Sequence, residues 1–266
     1  MPRVVLVTGA SAGIGLASAD RLHAAGWTVV GASRRGTGSP GWQGLVMNVD
    51  HDDSVRAGVA EVLARHGRVD AVVACAGWGV AGAVEHTTVD EAKAQVETNF
   101  WGSVRVVQHV LPAMRSQGGG RIVLVSSIGG AVAIPFQAFY SASKFALEGL
   151  GEALAYEVAP FHIDVTLVQP GNVKTDFTAN RKMAAAAAAA DAYRQALDKA
   201  VGVMARDEEN GVEPSSVAAV VQSVLDKRRP PRRVSVGKSG ERVGILAKRV
   251  LPFRWFEAAA KSSLGV

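Results

Sequence analysis

Seven short apolar runs recur along the chain, "RVVLVTG", "WTVVGAS", "GLVMNV", "VDAVVACAG", "GRIVLVSS", "HIDVTLVQPG" and "PRRVSVG", and their recurrence constrains the fold more than any single motif. They are rich in β-branched residues and nearly continuous in apolarity. A strand that wets one face alternates instead, so these are strands buried on both faces. Between them, residues 14–25, 53–66, 89–116, 139–160 and 214–226 carry helical spacing or helix-start signals. Strands joined by crossover helices run parallel, and the expected fold is α/β, a doubly wound sheet of about seven parallel strands with helices on both faces.

A chain of 266 residues with 48% hydrophobic content suits one large domain, residues 1–266, and would be a tight fit for two. There is no internal repeat. Residues 174–212 interrupt the rhythm between the sixth strand and the next helix, where an insertion is well placed to be a substrate lid. Its alanine run, residues 184–190, forms helix readily but offers little to pack. The single cysteine, Cys75, excludes an intramolecular disulfide, and the N-terminus runs directly into a glycine-rich turn without the pattern of a signal peptide. The uncharged run 122–143 is long enough to span a membrane, but Ser126, Ser127, Gly129, Gly130, Pro135, Gln137 and Tyr140 interrupt it. A reducing, cytoplasmic setting is expected.

The charge of +5 is uneven. Residues 227–261 hold eleven basic side chains against Glu241 and Glu257, a net +9 that leaves the rest of the chain at −4. Nothing there resembles a nucleic-acid module. In the segment 238–266, Val243, Leu246, Ala247 and Val250 fall near one helical face, Arg242, Lys248 and Arg249 lie on the others, and Phe253, Trp255 and Phe256 follow. Two arrangements fit: the apolar side closes over the domain or a neighbouring subunit, or it makes weak contact with an anionic membrane surface.

The turn "VTGASAGIG", residues 7–15, follows the first strand and opens the first helix. In that setting Gly9, Gly13 and Gly15 let the backbone turn tightly and approach a ligand, while free N–H groups of the helix face a pyrophosphate. The next strand ends in Ser33, Arg34 and Arg35, where an NAD site usually offers an acidic side chain to the ribose 2′-hydroxyl. A hydroxyl and guanidinium groups suit a 2′-phosphate, so NADP(H) is expected in preference to NAD(H). The plainer alternative is that these arginines are simply exposed. In "YSASK", Tyr140 and Lys144 stand four apart on one helical face. A neighbouring ammonium and a nicotinamide cation favour the phenolate. Ser127, at a strand end, is placed to hold a substrate oxygen beside the phenol.

Together, "TGASAGIG", Asn99 in "VETNFWG", Ser127 in "LVSSIGG", "YSASK" and "QPGNVKT" make the chain resemble the short-chain dehydrogenase/reductase family over residues 4–236. The resemblance implies a Rossmann-type sheet and an oxidoreductase that interconverts a ketone or aldehyde and its alcohol. It implies Tyr140 as general acid/base, Lys144 on the nicotinamide ribose and lowering the tyrosine pKa, Ser127 orienting the carbonyl, and Asn99 holding a relay water. Ser11 and Ile14 would meet the ribose and phosphates, Val173 and Thr175 the carboxamide. Asn48, Val49, Ala76, Gly77, Pro170 and Gly171 complete the expected cofactor contacts; no metal is implied. The block "SIGGAVAIPFQAFYSASKFALEGL" is closest to members acting on steroids, retinoids and other apolar alcohols or ketones, with Trp78, Val80, Val132, Phe136 and Phe177 expected to wall the pocket.

The chain departs from the family where Asn-Asn-Ala-Gly is usual, reading Ala74, Cys75, Ala76, Gly77, and where an aspartate often sits near the adenine, reading Asn48. Cys75 reads as a small buried filler. A catalytically silent NADP(H)-binding protein is the alternative function, disfavoured by the complete set Asn99, Ser127, Tyr140 and Lys144. A nucleotide-sugar epimerase is disfavoured by the glycine spacing and the short C-terminal part. By analogy, the helices at 89–116 and 139–160 would join subunits in a homo-oligomer.

Overall fold

A computed structural model describes residues 2–189 and 191–264. Strands β1 (Val4–Thr8), β2 (Thr28–Ser33), β3 (Gln43–Val46), β4 (Ala71–Ala74), β6 (Gly120–Val125), β7 (Ile163–Pro170) and β9 (Arg233–Val236) form one sheet in the order β3-β2-β1-β4-β6-β7-β9. Every neighbouring pair is parallel. The chain winds outward from β1 to β3, then returns past β1 to β4, so the winding reverses beside β1. A cleft outside the carboxyl ends of the strands opens at such a reversal.

The near-continuous apolarity of the strands follows from their two covers. Leu6, Val72, Leu124 and Leu167 pack against α2 (Asp52–His66), α4 (Gly102–Ser116) and α5 (Ala138–Glu157) through Val59, Val106, Leu147 and Leu154. Their neighbours Val5, Val7, Val73, Val123 and Val168 face α1 (Gly13–Ala24) and α8 (Pro214–Asp226) through Ala19, Leu22, Val217 and Val221. Each such burial contributes about 1.5–3 kcal/mol, and truncating fully buried Leu6 to alanine costs roughly 2–5 kcal/mol. Inside β2, Gly31 makes room for an indole: a Cβ there would stand 2.1 Å from Trp42 Cζ3. Trp42 is held in place by donating from Nε1 to Asp20 Oδ1 at 2.7 Å.

Two expectations change in detail. Residues 89–116 are not one regular helix: α3 (Val89–Val96) passes into a wide π-helical turn, Glu97–Trp101, before α4 begins. The alanine run does find partners. Ala185–Ala189 form a tight 3-10 turn, and Ala184 and Ala187 are buried with Val80 and Leu197, against which Trp78, Phe136 and Val201 also pack; Ala190 lies outside the described residues. This small core is anchored where β5 (Val80–Ala81) pairs with β8 (Lys182–Met183), between α6 (Phe177–Asn180) and α7 (Asp191–Glu209). The C-terminal part forms α9 (Ser239–Val250) and α10 (Phe253–Leu264).

Candidate active site

The turn from β1 into α1 is shaped by its glycines. Gly9 and Gly13 hold φ of +67° and +54°, a region that side chains resist. A Cβ on Gly15 would stand 2.2 Å from the Gly9 carbonyl oxygen, so no side chain fits where the helix begins. The result is a backbone cradle at the N-terminus of α1, which suits an anion. It opens into a cleft of about 660 Å³. Gly9, Ser11, Gly13, Ile14, Gly15, Ser33, Arg34, Arg35, Asn48, Val49, Ala76, Gly77, Pro170, Gly171, Val173 and Thr175 all line it, alongside Ser127, Tyr140 and Lys144. A nicotinamide dinucleotide fits this donor set, with the pyrophosphate at the cradle and the reactive ring toward Tyr140.

Ser127 ends the fifth run and caps a 3-10 turn; its Oγ accepts from Gly129 N at 3.0 Å. Tyr140 and Lys144 lie on the opening turns of α5, on one face. The Tyr140 ring packs edge-on against Phe177, centroids 5.7 Å apart. Burial raises the phenol above its ordinary pKa, while the hydrogen bond with Ser127 acts in the opposite direction and the Glu208 carboxylate adds to the rise. Within the chain alone, then, burial outweighs the cations expected to favour phenolate. The phenol stays protonated through neutral pH, the form that delivers a proton to an alkoxide. Lys144 Nζ donates to Val125 O at 2.9 Å, and burial lowers its pKa to about 8. Cys75, in the same wall, is pushed up to about 12 by burial and is inert as a thiol at neutral pH.

Asn99 is fully buried behind the cleft wall. Its Oδ1 accepts from Trp78 N at 2.9 Å, and its Nδ2 donates to Trp78 O at 3.0 Å and to Ser143 Oγ at 3.2 Å. Ser143 in turn donates to the Tyr140 carbonyl at 2.7 Å. The wide turn at Glu97–Trp101 carries Asn99 inward, a common use of π-type turns at functional sites. Thr8 has a matching role: its Oγ1 accepts from Cys75 N at 3.0 Å and Ala76 N at 3.2 Å, fixing the loop after β4.

The substrate side departs from the expected pocket. Trp78 and Phe177 line the cleft, joined by Ile128 and Ile134. Val80 and Phe136 pack in the small core beneath, and Val132 stands outside the lining. The wall also carries polar groups that no local motif announced. Gln137 is buried, its Nε2 without a hydrogen-bond partner among the described residues, directly after Phe136, whose φ of +58° is strained for a non-glycine residue. Glu208 reaches in from α7 and accepts from Thr178 Oγ1 and Arg181 Nη2. The expected lid segment thus contributes Phe177, Asn180, Lys182 and Glu208 to the cleft.

The family model for short chain dehydrogenases matches residues 3–186. This chain belongs to that family. As a short-chain dehydrogenase it is an oxidoreductase of CH–OH and keto groups that uses a nicotinamide cofactor. The chain is 39% identical to a 3-ketodihydrosphingosine reductase of Bacteroides thetaiotaomicron, over 98% of this chain and 97% of the other. It is 35% identical to mouse 17-beta-hydroxysteroid dehydrogenase type 1, over 66% of this chain and 56% of that one. The crystal structure of a short-chain dehydrogenase from Streptomyces avermitilis superposes with a TM-score of 0.82 at 33% identity, covering 98% of both chains.

Proposed function

We propose that the enzyme uses NADP(H) to interconvert a long apolar ketone and its alcohol, and that the ketone carries a charged amino head of the 3-ketodihydrosphingosine kind. The observation that carries the substrate half is Glu208, a cleft-lining carboxylate that accepts from Thr178 and Arg181 and is close enough to Tyr140 to act on its titration. An ammonium beside the reacting carbonyl would share this carboxylate with Arg181, while Trp78, Ile128, Ile134 and Phe177 receive the hydrocarbon. The near full-length likeness to the Bacteroides reductase supports the same class. The cofactor supplies the hydride; Ser127 holds the carbonyl oxygen and Tyr140 delivers the proton, with Lys144 charged below about pH 8 to stabilise the phenolate left behind.

The NADP(H) half rests on the end of β2. Ser33 is buried with its Oγ accepting from Gly36 N at 3.0 Å, and the exposed Arg34 and Arg35 follow it into the cleft wall with no acidic side chain beside them on that strand. The test is NADPH against NADH turnover, with 3-ketodihydrosphingosine and an alkyl ketone lacking the amine. Wild type should favour NADPH, Ser33→Asp with Arg34→Ala should reverse the preference, and Glu208→Gln should raise KM only for the amine. Equal use of both cofactors sinks the first half; equal KM effects on both ketones sink the second.

Two further readings complete the proposal. The enzyme works in the cytoplasm and forms a homo-oligomer through α3, α4 and α5. Trp101, Phe145 and Tyr156 are exposed there, beside an apolar groove formed by Val89, Ala92, Val96 and Phe139. Sedimentation velocity reads the assembly, and a monomer at micromolar concentration refutes it.

A further inference from the structure

We propose that α9 and α10 form a docking face for an anionic lipid surface and hold the mouth of the cleft against it. The two helices are attached to the domain by their polar and small residues. Glu241 Oε1 accepts from Asn172 N at 3.1 Å and Nδ2 at 2.7 Å, and Lys248 Nζ donates to Ala131 O at 2.6 Å. Gly244, Ile245 and Ala247 are half-buried. So is Phe256 of α10, but most of the larger apolar side chains point the other way. Val243, Leu246 and Val250, one stripe of α9, are 61%, 60% and 69% exposed, and Phe253 and Trp255 of α10 are 75% and 71% exposed. This stripe and these two rings therefore do not close over the domain.

Charge selects the occupant. Among the described residues, exposed Arg242, Arg249 and Arg254 form no ion pair, while the two acids of these helices are already engaged, Glu241 with Asn172 and Glu257 with Lys261 at 2.9 Å. A second copy docking through the same face would set these guanidinium groups against each other, whereas anionic headgroups neutralise them as the aromatic rings enter the interface. The position of the face adds a function. Asn172 and Gly171 line the cleft, Ala131 follows the Ser127 turn, and α10 packs on α7, the helix of Glu208. A face so placed presents the substrate entrance to the layer in which a long-chain ketone dissolves. That last step rests on the proposed substrate; the docking itself does not.

The test uses the whole protein with vesicles of phosphatidylcholine alone and of phosphatidylcholine mixed with phosphatidylglycerol, read by co-sedimentation. Binding is expected to the mixed vesicles, to weaken as salt rises, and to fall at least about tenfold on neutral vesicles. Phe253→Ser with Trp255→Ser, and separately Arg249→Glu with Arg254→Glu, should each lose binding while thermal unfolding and turnover of a short water-soluble ketone stay unchanged. No binding to the mixed vesicles, or binding undiminished in either pair of variants, overturns the proposal. So does a dimer that the same variants dissociate, since it assigns the face to a second copy. Failure of the substrate reading shows separately, as absent turnover of the long-chain amine with vesicle binding intact.

Discussion

Replacing Lys144 with methionine should abolish activity and, at pH 7, make the protein more stable. The ammonium is buried with one backbone partner, and its pKa falls from 10.5 to about 8. At about 1.4 kcal/mol per tenfold change in a protonation equilibrium, holding the charge in the fold at pH 7 costs about 3 kcal/mol. Methionine has similar length and no charge to desolvate, but it loses the hydrogen bond to Val125 O, worth about 1 kcal/mol. The net gain is about 2 kcal/mol, or a Tm rise of roughly 4–8 °C for a chain of this size. The sign with pH is fixed by the direction of the shift. A lysine whose folded pKa lies below its unfolded one binds fewer protons when folded, so wild-type stability rises between about pH 8 and 10.5 and the advantage of methionine shrinks. By about pH 9.5 the remaining cost of the charge is only roughly 1 kcal/mol, and the two proteins should unfold at nearly the same temperature. Thermal unfolding of both proteins without cofactor, at the two pH values, is the assay. A variant less stable than wild type at pH 7, or a gap that does not change with pH, would refute the argument and mean that the ammonium is held by interactions stronger than its desolvation.

Tyr140→Phe should lower turnover by about 10²–10⁴-fold while leaving NADPH affinity nearly intact, because it removes the proton donor and touches no phosphate contact; a fluorescence titration of NADPH beside the rate measurement separates the two effects. Gly15→Ala should weaken NADPH binding by at least about tenfold, since its Cβ meets the rigid Gly9 carbonyl rather than a side-chain tip. The comparison is Gly149→Ala, whose Cβ meets nothing within 4 Å among the described residues and which should bind cofactor normally.

Ser127, Tyr140, Lys144 and the glycine turn were legible in the sequence because each belongs to a short motif at an element boundary, where strand or helix periodicity fixes which way a side chain points. The sheet was legible for a related reason: strands covered on both sides need apolar residues at every position. What escaped depends on contacts between distant segments. Thr8 meets Cys75 across 67 positions, Asn99 meets Ser143 across 44, and Glu208 enters from a helix whose own pattern says nothing about the cleft. Val80 and Phe136, expected in the pocket wall, pack in the small core, because an apolar residue in a loop satisfies equally the demand of a ligand and that of a core. Only the pairing of β5 with β8 decides between them. The wide turn at Asn99 was hidden because its residues have no unusual helix propensity; the bonds to Trp78 draw it open.

The hydroxyl of Thr8 bears on how this chain differs from its family. By accepting two main-chain amides, it secures the loop after β4 without asking anything of the side chains at positions 74 to 76 except that they be small. Asparagines there are dispensable to the loop's path, and Ala74 and Cys75 can stand in their place. The tolerance is one-sided. The same loop that accepts varied side chains would lose both anchors at once if Thr8 became valine, a change of a single atom type in a strand that otherwise wants valine. Drift in this part of the protein is therefore open at one end of the contact and closed at the other.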